Sequence, residues 1–266
     1  MQTPSTNLDV LLRETDARGV VTLTLNRPQA FNALSEALLG ALQDQIDDLM
    51  RDDTARVVIL RGAGRAFCAG HDLKEMRAQP SHDYYQSLFT RCGKVMTGLT
   101  RLPQPVIAQV HGIATAAGCQ LVASCDLAVA AADARFAVSG VNYGLFCSTP
   151  GVALARNVPR KQAMEMLLTG EFIDAATAQQ RALINRVAAP GELDAEVDRL
   201  VTSILDKPAA AVRLGKELFY RQAEMGIDAA YQLAAQTMTC NMLDDCALEG
   251  VQAFIDKRQP AWRVSA

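Results

Sequence analysis

Residues 106–130 read VIAQVHGIATAAGCQLVASCDLAVA, and this stretch decides the fold. The apolar run at 106–110 predicts a strand, the His-Gly pair after it predicts a turn, and residues 116–124 predict a helix. A second apolar run at 127–130 predicts another strand. Strands that are apolar throughout are typical of a parallel sheet covered on both faces. The stretch therefore predicts an α/β architecture in which parallel strands alternate with helices.

The same alternation continues towards the amino terminus. Residues 20–25 (VVTLTL) and 57–60 (VVIL) are rich in β-branched residues and leucine, and they predict two further strands. Between them, Ser35 predicts the N-cap of a helix, because apolar residues recur at helical spacing after it. Another helix is predicted over residues 82–100, before two prolines end it.

The last third of the chain has a different pattern. From Pro159 onward the spacing of apolar residues predicts helices almost to the end, with breaks at glycine and proline. The organisation resembles an α/β core with a helical tail attached to it. We therefore predict a core in residues 1–200 and a C-terminal helical region in residues 201–266.

The composition excludes some classes of function. With 266 residues, 50% of them apolar, the chain is long enough to bury a large core. A net charge of −3 gives no basic field, so nucleic acid is not an expected partner. The seven cysteines form no CxxC pair and predict buried, reduced thiols. The three histidines have no metal-ligand spacing, so no metal site is predicted.

No membrane segment or secretory leader is expected. The most apolar stretch, 120–138, is interrupted by two aspartates and an arginine, so it does not predict a membrane span. Residues 1–19 are polar and have no apolar signal core. We therefore expect a cytoplasmic protein.

Two loop-to-helix junctions carry the candidate chemistry. Residues 68–73 (CAGHDL) and 111–120 (HGIATAAGCQ) each follow an apolar run and are rich in small residues before a predicted helix. Small residues let a ligand approach the backbone, and a helix N-terminus presents N–H groups without intrahelical partners. Two such N–H groups aimed at one point can hold a developing oxyanion. Taken alone, each junction also fits an ordinary turn between a strand and a helix, and most patterns of this kind are such turns.

Longer motifs around both junctions resemble one known family. Residues 64–76 (GRAFCAGHDLKEM) and residues 104–112 (QPVIAQVHG) resemble the two signatures of the crotonase, or enoyl-CoA hydratase/isomerase, family. Further segments are similar to its other motifs, namely residues 25–34, 166–171 and 249–260. The motifs stand in the family's order and extend over nearly the whole chain.

The resemblance implies a fold, an assembly and a ligand. The family fold is a crotonase-like spiral of ββα turns, followed by a C-terminal helical region that drives formation of a homo-trimer, and trimers often pair into hexamers. The implied ligand is an acyl-CoA or enoyl-CoA, with coenzyme A as part of the thioester substrate and no separate cofactor. The implied oxyanion donors are the backbone N–H groups of His71 and Ala117. A role for the His71 side chain stays open.

The resemblance also implies a set of residues that bind the CoA and acyl groups. Its members are Arg27, Ala33, Ala69, Gly70, Asp72, Leu73, Tyr143, Cys147, Phe254 and Lys257, of which Phe254 and Lys257 would come from a neighbouring subunit. Asp72 is also an expected N-cap of the following turn. Tyr143 is a candidate hydrogen-bond donor to the acyl group. Cys147 is either a buried structural thiol or a nucleophile, and the sequence identifies no base partner for it.

Two positions depart from the family pattern. Hydratases of the family use two glutamates to hold and activate water, and here those positions are Gln120 and Gly140. Glutamine does not take up a proton near neutral pH, and glycine has no side chain. Losing a general acid or base costs a factor of roughly 10² to 10⁴ in rate, so we expect poor hydration. Gln120→Glu alone should restore little activity, and adding Gly140→Glu should restore more.

One further run narrows the resemblance. Residues 143–151 (YGLFCSTPG), together with the glutamine and the glycine just named, are similar to the enoyl-CoA hydratase domain-containing protein 3 branch of the family. Three functions stay open. The first is an enzyme on acyl-CoA, a hydratase by family label, with isomerase, decarboxylase or thioesterase chemistry as variants. The second is a CoA-thioester-binding protein without turnover, and the third is a structural or assembly role for the helical region.

Overall fold

The computed structural model describes residues 10–264. The strands are β1 (Leu11–Thr15), β2 (Val20–Leu25), β3 (Val57–Gly62), β4 (Val106–Val110), β5 (Ile113–Thr115), β6 (Leu127–Ala131), β7 (Arg135–Ala137), β8 (Ile173–Asp174) and β9 (Arg186–Ala188). The helices are α1 (Glu36–Leu49), α2 (Leu73–Ala78), α3 (His82–Arg101), α4 (Ala117–Ser124), α5 (Ser148–Asn157), α6 (Arg160–Thr169), α7 (Ala175–Gln180), α8 (Leu193–Leu205), α9 (Ala209–Gln222), α10 (Ile227–Met242), α11 (Asp245–Ile255) and α12 (Ala261–Val264). Two 3-10 segments cover Pro28–Ala30 and Ser139–Tyr143.

The strands form two sheets. The larger sheet has six strands in the order β1-β2-β3-β4-β6-β9, all parallel except for β1, and the smaller sheet has the order β5-β7-β8. The strands β4 and β6 of the larger sheet are each followed directly by a strand of the smaller one, β5 or β7, and then by helical segments. This repeat is the predicted spiral of ββα turns, and the predicted α/β class is confirmed.

The sequence located the long elements of the core. The predicted strands correspond to β2, β3, β4 and β6, and Ser35 is the N-cap of α1, since its Oγ accepts a hydrogen bond from the Leu38 N–H at 3.2 Å. Five short strands were missed, namely β1, β5, β7, β8 and β9, and of these β5 and β7 have only three residues each. The edge strand β1 buries only Leu11, so its sequence looks polar, and β8 and β9 have two and three residues within an otherwise helical region.

The larger sheet is covered on both faces. One face packs against α1, α3 and α4 in the main core, and the other carries a smaller cluster beneath α8. This cluster contains Val20, Val57, Ile107, Val129, Val197 and Val201. Covering on both faces is the reason that these strands are apolar throughout. The division of the chain at residue 200 stays a prediction, and that position lies within α8.

The helical region is attached to the core through a buried ammonium group. Lys216 on α9 is 7% exposed, and its Nζ donates to the carbonyl oxygens of Leu99 and Gln104, at 3.0 and 2.9 Å, and to Asp126 Oδ2 at 2.6 Å. The Tyr220 hydroxyl donates to the other oxygen of Asp126 at 2.8 Å. Burial lowers the pKa of Lys216, and the neighbouring Asp126 carboxylate opposes that shift. The network joins α9 to the start of β4 and β6.

The surface of the helical region is rich in apolar side chains. Among its exposed members are Phe219, Ile227, Tyr231, Met238, Leu243, Leu248, Phe254 and Ile255. Nevertheless, no helix within residues 10–264 has both the length and the hydropathy needed to cross a membrane. The cysteines are free thiols, and five of the seven are buried as predicted; the prediction was wrong for Cys240, which is exposed, and for Cys246, which is half-buried.

Candidate functional site

The two junctions lie side by side. The N–H of Cys68 donates to the Ile113 oxygen at 3.1 Å, and the N–H of Thr115 donates to the Cys68 oxygen at 3.0 Å, as in a short parallel ladder. Both segments then run forward in the same direction. His71 and Ala117 stand three residues beyond the paired positions, so the ladder brings the two predicted donor residues to equivalent places.

Two glycines allow the segments to approach this closely. A Cβ atom on Gly118 would overlap the carbonyl oxygen of Cys68, and one on Gly70 would lie 2.9 Å from the Ala116 Cβ. The same atom on Gly70 would be 3.3 Å from the Ala117 nitrogen. Gly70 also has a φ of +94°, a conformation that side-chain-bearing residues rarely adopt. The spacing of the donors therefore depends on both glycines.

The N–H of His71 is held in place but has no partner. On one side of it the Gly70 oxygen accepts from the Leu34 N–H at 2.7 Å, and on the other the Asp72 N–H donates to the Leu34 oxygen at 3.2 Å. Between these two bonds, the His71 N–H has no acceptor among residues 10–264. The neighbouring peptides are therefore fixed, and this donor is left for another molecule.

The N–H of Ala117 is presented in the same way. Ala116, which precedes it, has φ 50° and ψ −120° and donates its own N–H to the Ala137 oxygen at 3.0 Å. Its carbonyl oxygen accepts from the Gln120 N–H, also at 3.0 Å. Within the described part of the chain, the Ala117 N–H has no acceptor. Ala116 thus adopts unusual backbone angles directly before this first N–H of α4, and Ala117 itself lines the cavity described next.

Both donor residues line a cavity of about 660 Å³. Its walls include ten of the residues predicted from sequence: Arg27, Ala33, Ala69, His71, Asp72, Leu73, Ala117, Gly140, Tyr143 and Cys147. Four predicted residues are not part of this wall, namely Gly70, Gln120, Phe254 and Lys257. Gly70 supports the wall from behind, whereas Phe254 is 85% exposed in the single chain.

Sequence reasoning missed several apolar wall residues. Met76 on α2, Phe89 on α3 and the pair Leu145 and Phe146 after the second 3-10 segment all line the cavity. Phe89 directly follows the buried Leu88 on α3, so the helical spacing of apolar residues does not separate a core position from a cavity wall. The sequence analysis named the segment 143–151, but it did not predict that two apolar residues of this segment line the cavity.

Arg27 and Asp72 are engaged with each other at the rim of the cavity. The Arg27 guanidinium donates to Asp72 Oδ2 at 2.9 Å and to the Ala33 oxygen at 2.5 Å. Asp72 Oδ1 accepts from the N–H groups of Lys74 and Glu75, which confirms the expected N-cap of α2. Burial opposes ionisation of Asp72, but these donors outweigh it and hold the pKa of the carboxyl below its usual range. Asp72 is therefore a structural anion.

Gly140 occupies a position that has no room for a side chain. A Cβ atom there would overlap the Leu145 carbonyl oxygen and would lie 2.8 Å from Cys147 Sγ. The Gly140 N–H donates to Cys147 Sγ at 3.3 Å, and the Leu145 N–H donates to the Gly140 oxygen at 3.0 Å. Burial raises the pKa of the Cys147 thiol, and the Gly140 N–H offsets this only in part. The thiol therefore acts as a structural hydrogen-bond acceptor here.

The other departing position, Gln120, is 4% exposed on α4, and its Oε1 has no hydrogen-bond partner in the described part of the chain. It lies one helical turn beyond Ala117 and does not reach the cavity wall. Neither position therefore offers an acid or a base at the cavity.

The His71 side chain is also part of this site. Its ring makes an edge-to-face contact with Phe89, with ring centroids 5.5 Å apart and an angle of 70° between the planes. Burial lowers the pKa of His71 to about 4, so the imidazole is neutral at physiological pH. Both ring nitrogens are buried, and a hydrogen bond to the Leu34 backbone opposes the downward shift of the pKa only in part.

Comparison with known proteins assigns the family. A model of the enoyl-CoA hydratase/isomerase family matches residues 15–265, nearly the entire chain. The chain belongs to the enoyl-CoA hydratase/isomerase family. The paired backbone donors and the closed position at Gly140 are therefore features of one member of this family.

Two similar proteins carry the name of the family branch that the sequence resembles. The chain is 46% identical to enoyl-CoA hydratase domain-containing protein 3, mitochondrial, from Xenopus laevis over 97% of this chain and 86% of that protein. It is 46% identical to the human protein of the same name over 94% of this chain and 84% of that one. The predicted resemblance to this branch is confirmed.

Solved structures have the same fold. A crystal structure of an enoyl-CoA hydratase from Mycobacterium smegmatis is 64% identical, with a TM-score of 0.94 over 96% of this chain and 99% of that one. The crystal structure of human enoyl Coenzyme A hydratase domain-containing protein 3 is 44% identical, with a TM-score of 0.91 over 95% of this chain and 100% of that one. The crotonase-like fold class is confirmed.

The expected cytoplasmic compartment was wrong. It rested on the polar character of residues 1–19, of which residues 1–9 lie outside the described part of the chain. The relatives from Xenopus laevis and human are named mitochondrial, which contradicts that expectation. A polar segment at the start of a sequence does not by itself assign a compartment.

Proposed function

We propose that this protein is an enzyme that binds an acyl-CoA thioester and stabilises the oxyanion formed from its carbonyl oxygen. One observation carries the proposal: the unpaired N–H groups of His71 and Ala117 lie at equivalent positions on adjacent segments and belong to residues that line one cavity. Fixed backbone donors need no reorganisation when charge develops on an oxygen, and they act strongly in an apolar surrounding. Removing one such donor costs roughly 10²- to 10³-fold in rate in other enzymes.

The chemistry that we favour is enolate or tetrahedral-intermediate chemistry other than ordinary hydration. Asp72 is the only acidic residue among the described residues of the cavity wall, and its carboxylate is engaged by Arg27 and by two N–H groups. Activation of water by a pair of carboxylates therefore has no counterpart at this cavity. Isomerisation, decarboxylation or thioester hydrolysis each needs the oxyanion donors, and each remains within the proposal.

A second candidate is a CoA-thioester-binding protein without turnover. The same observation favours it, since the cavity wall presents oxyanion donors but no free carboxylate among the described residues. The two candidates predict the same binding and differ only in turnover. A panel of acyl-CoA thioesters assayed for isomerisation, decarboxylation and hydrolysis therefore distinguishes them.

We also propose that a second copy of the chain completes the site in a homo-trimer or hexamer. Phe254 is 85% exposed and, like Lys257, does not line the cavity of its own chain. The exposed apolar side chains of α9, α10 and α11 form a surface that a neighbouring copy would cover. Sedimentation velocity checks the assembly, and a monomer at micromolar concentration would contradict it.

Binding to butyryl-CoA tests the proposed function directly. We expect calorimetry to show micromolar affinity for butyryl-CoA and weaker affinity for free CoA, because only the thioester offers an oxygen to the two donors. Acetoacetyl-CoA provides an optical readout, since its enolate has its own near-ultraviolet absorption and should increase on binding. The proposal would be rejected if the protein did not bind butyryl-CoA and the enolate signal of acetoacetyl-CoA did not increase.

The structure changes what is expected of restored glutamates. Gln120→Glu should leave crotonyl-CoA hydration within about tenfold of wild type, because no second carboxylate faces it and single acid–base groups contribute only part of the rate. Adding Gly140→Glu should give no further gain, in contrast to the expectation from sequence, because its Cβ meets the Leu145 oxygen and Cys147 Sγ. Hydration rates of the single and double variants check this. A double variant that is much faster and equally stable would contradict it.

A further inference from the structure

Two hydroxyl groups beside the cavity share a single hydrogen bond. Thr115 Oγ1 and Ser139 Oγ lie 2.9 Å apart, and either atom can be the donor. Their contact follows from the pairing of β5 with β7, because Thr115 stands opposite Ala137 and Ser139 comes two residues after Ala137. The bond therefore joins the segment that precedes α4 to the segment that precedes Gly140.

One hydroxyl proton of this pair is left over. Two hydroxyls carry two protons, and the contact between them uses one. No other residue between 10 and 264 forms a hydrogen bond with either hydroxyl. Ser139 lines the cavity, whereas Thr115 does not. When Thr115 donates to Ser139, the proton that remains belongs to Ser139, and a molecule in the cavity can accept it.

Ser139 stands on the same side of the cavity as the Ala117 donor. Ala117 follows Thr115 by two residues, which span at most about 7 Å of chain. Between them, the Ala116 N–H donates to the Ala137 oxygen at 3.0 Å, so the backbone here is fixed against the segment that carries Ser139. Ala116, Ala117 and Ser139 all line the cavity. An oxygen held by the Ala117 N–H is therefore close to the Ser139 hydroxyl.

We infer that Ser139 is a third donor to the oxyanion of the bound thioester, and that Thr115 is a positioning residue that directs the Ser139 hydroxyl towards it. A hydroxyl that accepts one hydrogen bond becomes a better donor of the next, because successive hydrogen bonds polarise one another. No covalent bond forms or breaks at Ser139, which only donates. This inference rests on the proposed binding of an acyl-CoA thioester and adds one side chain to the two backbone donors.

A donor of this kind acts on charge more than on binding. A hydrogen bond to an ionised oxygen is roughly twice as strong as one to a neutral oxygen. Loss of the Ser139 hydroxyl should therefore lower the fraction of a bound ligand that is enolate, while the affinity for a neutral thioester changes little. A purely structural role of Ser139 would not move the balance between the two ionisation states of the ligand.

A pH titration of bound acetoacetyl-CoA measures this balance through the absorption of its enolate. In Ser139→Ala, the ratio of enolate to neutral ligand should fall about tenfold at a given pH, which raises the midpoint by about one pH unit. The dissociation constant of butyryl-CoA should change less than about threefold, because its carbonyl oxygen is neutral. Ser203→Ala is the matched control, since Ser203 is exposed on α8 and does not line the cavity.

A second serine variant keeps the test open where the alanine variant does not fold. Ser139→Cys retains a side chain of similar size, but its S–H is a weak donor, so the midpoint should rise as in Ser139→Ala. An unchanged midpoint in the folded serine variants, or an equal rise in Ser203→Ala, overturns the inference.

Thr115 variants test the positioning role. Thr115→Val has nearly the same shape without the hydroxyl and should raise the midpoint by about half a unit, or about threefold in the ratio. Thr115→Ser keeps the hydroxyl and should retain the wild-type midpoint. Equal midpoints in these two variants contradict the role of Thr115. The proposed function fails instead if wild type binds neither ligand, or binds acetoacetyl-CoA with the midpoint of the free ligand.

Discussion

Lys216→Met is expected to lower the free energy of unfolding by about 3–5 kcal/mol, because removing one partner of a buried ion pair leaves the other charge uncompensated. The Lys216 side chain is 7% exposed, and its ammonium group donates to Asp126 and to the carbonyl oxygens of Leu99 and Gln104. Methionine keeps the packing of the aliphatic chain but supplies none of these three hydrogen bonds. Among the described residues, Asp126 would then retain the Tyr220 hydroxyl and the Val106 backbone N–H as donors.

Urea unfolding measures this loss, and second substitutions separate charge from packing. Asp126→Asn in the Lys216→Met background should recover part of the stability, because the buried charge is then removed. Tyr220→Phe should cost only about 1 kcal/mol, the usual contribution of one hydrogen bond. If Lys216→Met lost less stability than Tyr220→Phe, the ion pair would not be the attachment of the helical region.

Gly118→Ala is expected to damage both the fold and the site. Its Cβ would overlap the backbone oxygen of Cys68, and a backbone atom cannot rotate away as a side chain can. The two donor-bearing segments must therefore separate, at a cost of about 3 kcal/mol, the upper range for overpacking. Separation moves the Ala117 N–H away from that of His71, so affinity for butyryl-CoA should fall at least about tenfold.

Gly93→Ala is the matched control for this substitution. Gly93 lies within α3, and a Cβ atom there meets nothing within 4 Å. The same chemical change should therefore stabilise the protein by about 0.5–1 kcal/mol, since alanine favours helix over glycine, and should leave binding unaltered. Thermal unfolding and calorimetry compare the two variants. Similar losses in both would show that the contact between Gly118 and Cys68 is not the cause.

The sequence predicted those helices and strands whose apolar side chains are buried on one face or on both faces. Ser35 and Asp72 were predicted as N-caps and have that role, because a short polar side chain before an apolar periodic run has one local function. The strand β1 was not readable, since its pairing with β2 comes from the backbone and only Leu11 is buried. Pairing along a sheet edge leaves almost no trace in the pattern of apolar residues.

The sequence predicted the motifs of the candidate site, but it did not predict which atoms fill the space around them. The sequence showed that Gly140 lacks a carboxylate, and it could not show that the Leu145 oxygen and the Cys147 sulfur fill the same volume. That arrangement depends on how the chain turns between residues 140 and 147, which no periodicity encodes. The burial of both nitrogens of His71 beneath Phe89 is hidden for the same reason, since α3 is contributed by a separate part of the chain.

The backbone angles of Ala116 have a thermodynamic consequence. An alanine at φ 50° and ψ −120° stores about 1–3 kcal/mol of strain, which persists only while the surrounding structure enforces it. The orientation of the Ala117 N–H therefore depends on the folded state as a whole. If the backbone of Ala116 relaxed locally, this N–H would no longer be held in the orientation that binds an oxyanion. A thioester that binds only this folded form stabilises it by mass action. The stabilisation is about 2.7 kcal/mol when the free thioester concentration is a hundred times the dissociation constant. Occupancy and folding are therefore linked quantities, and the melting temperature becomes a measure of how well a given acyl group fits.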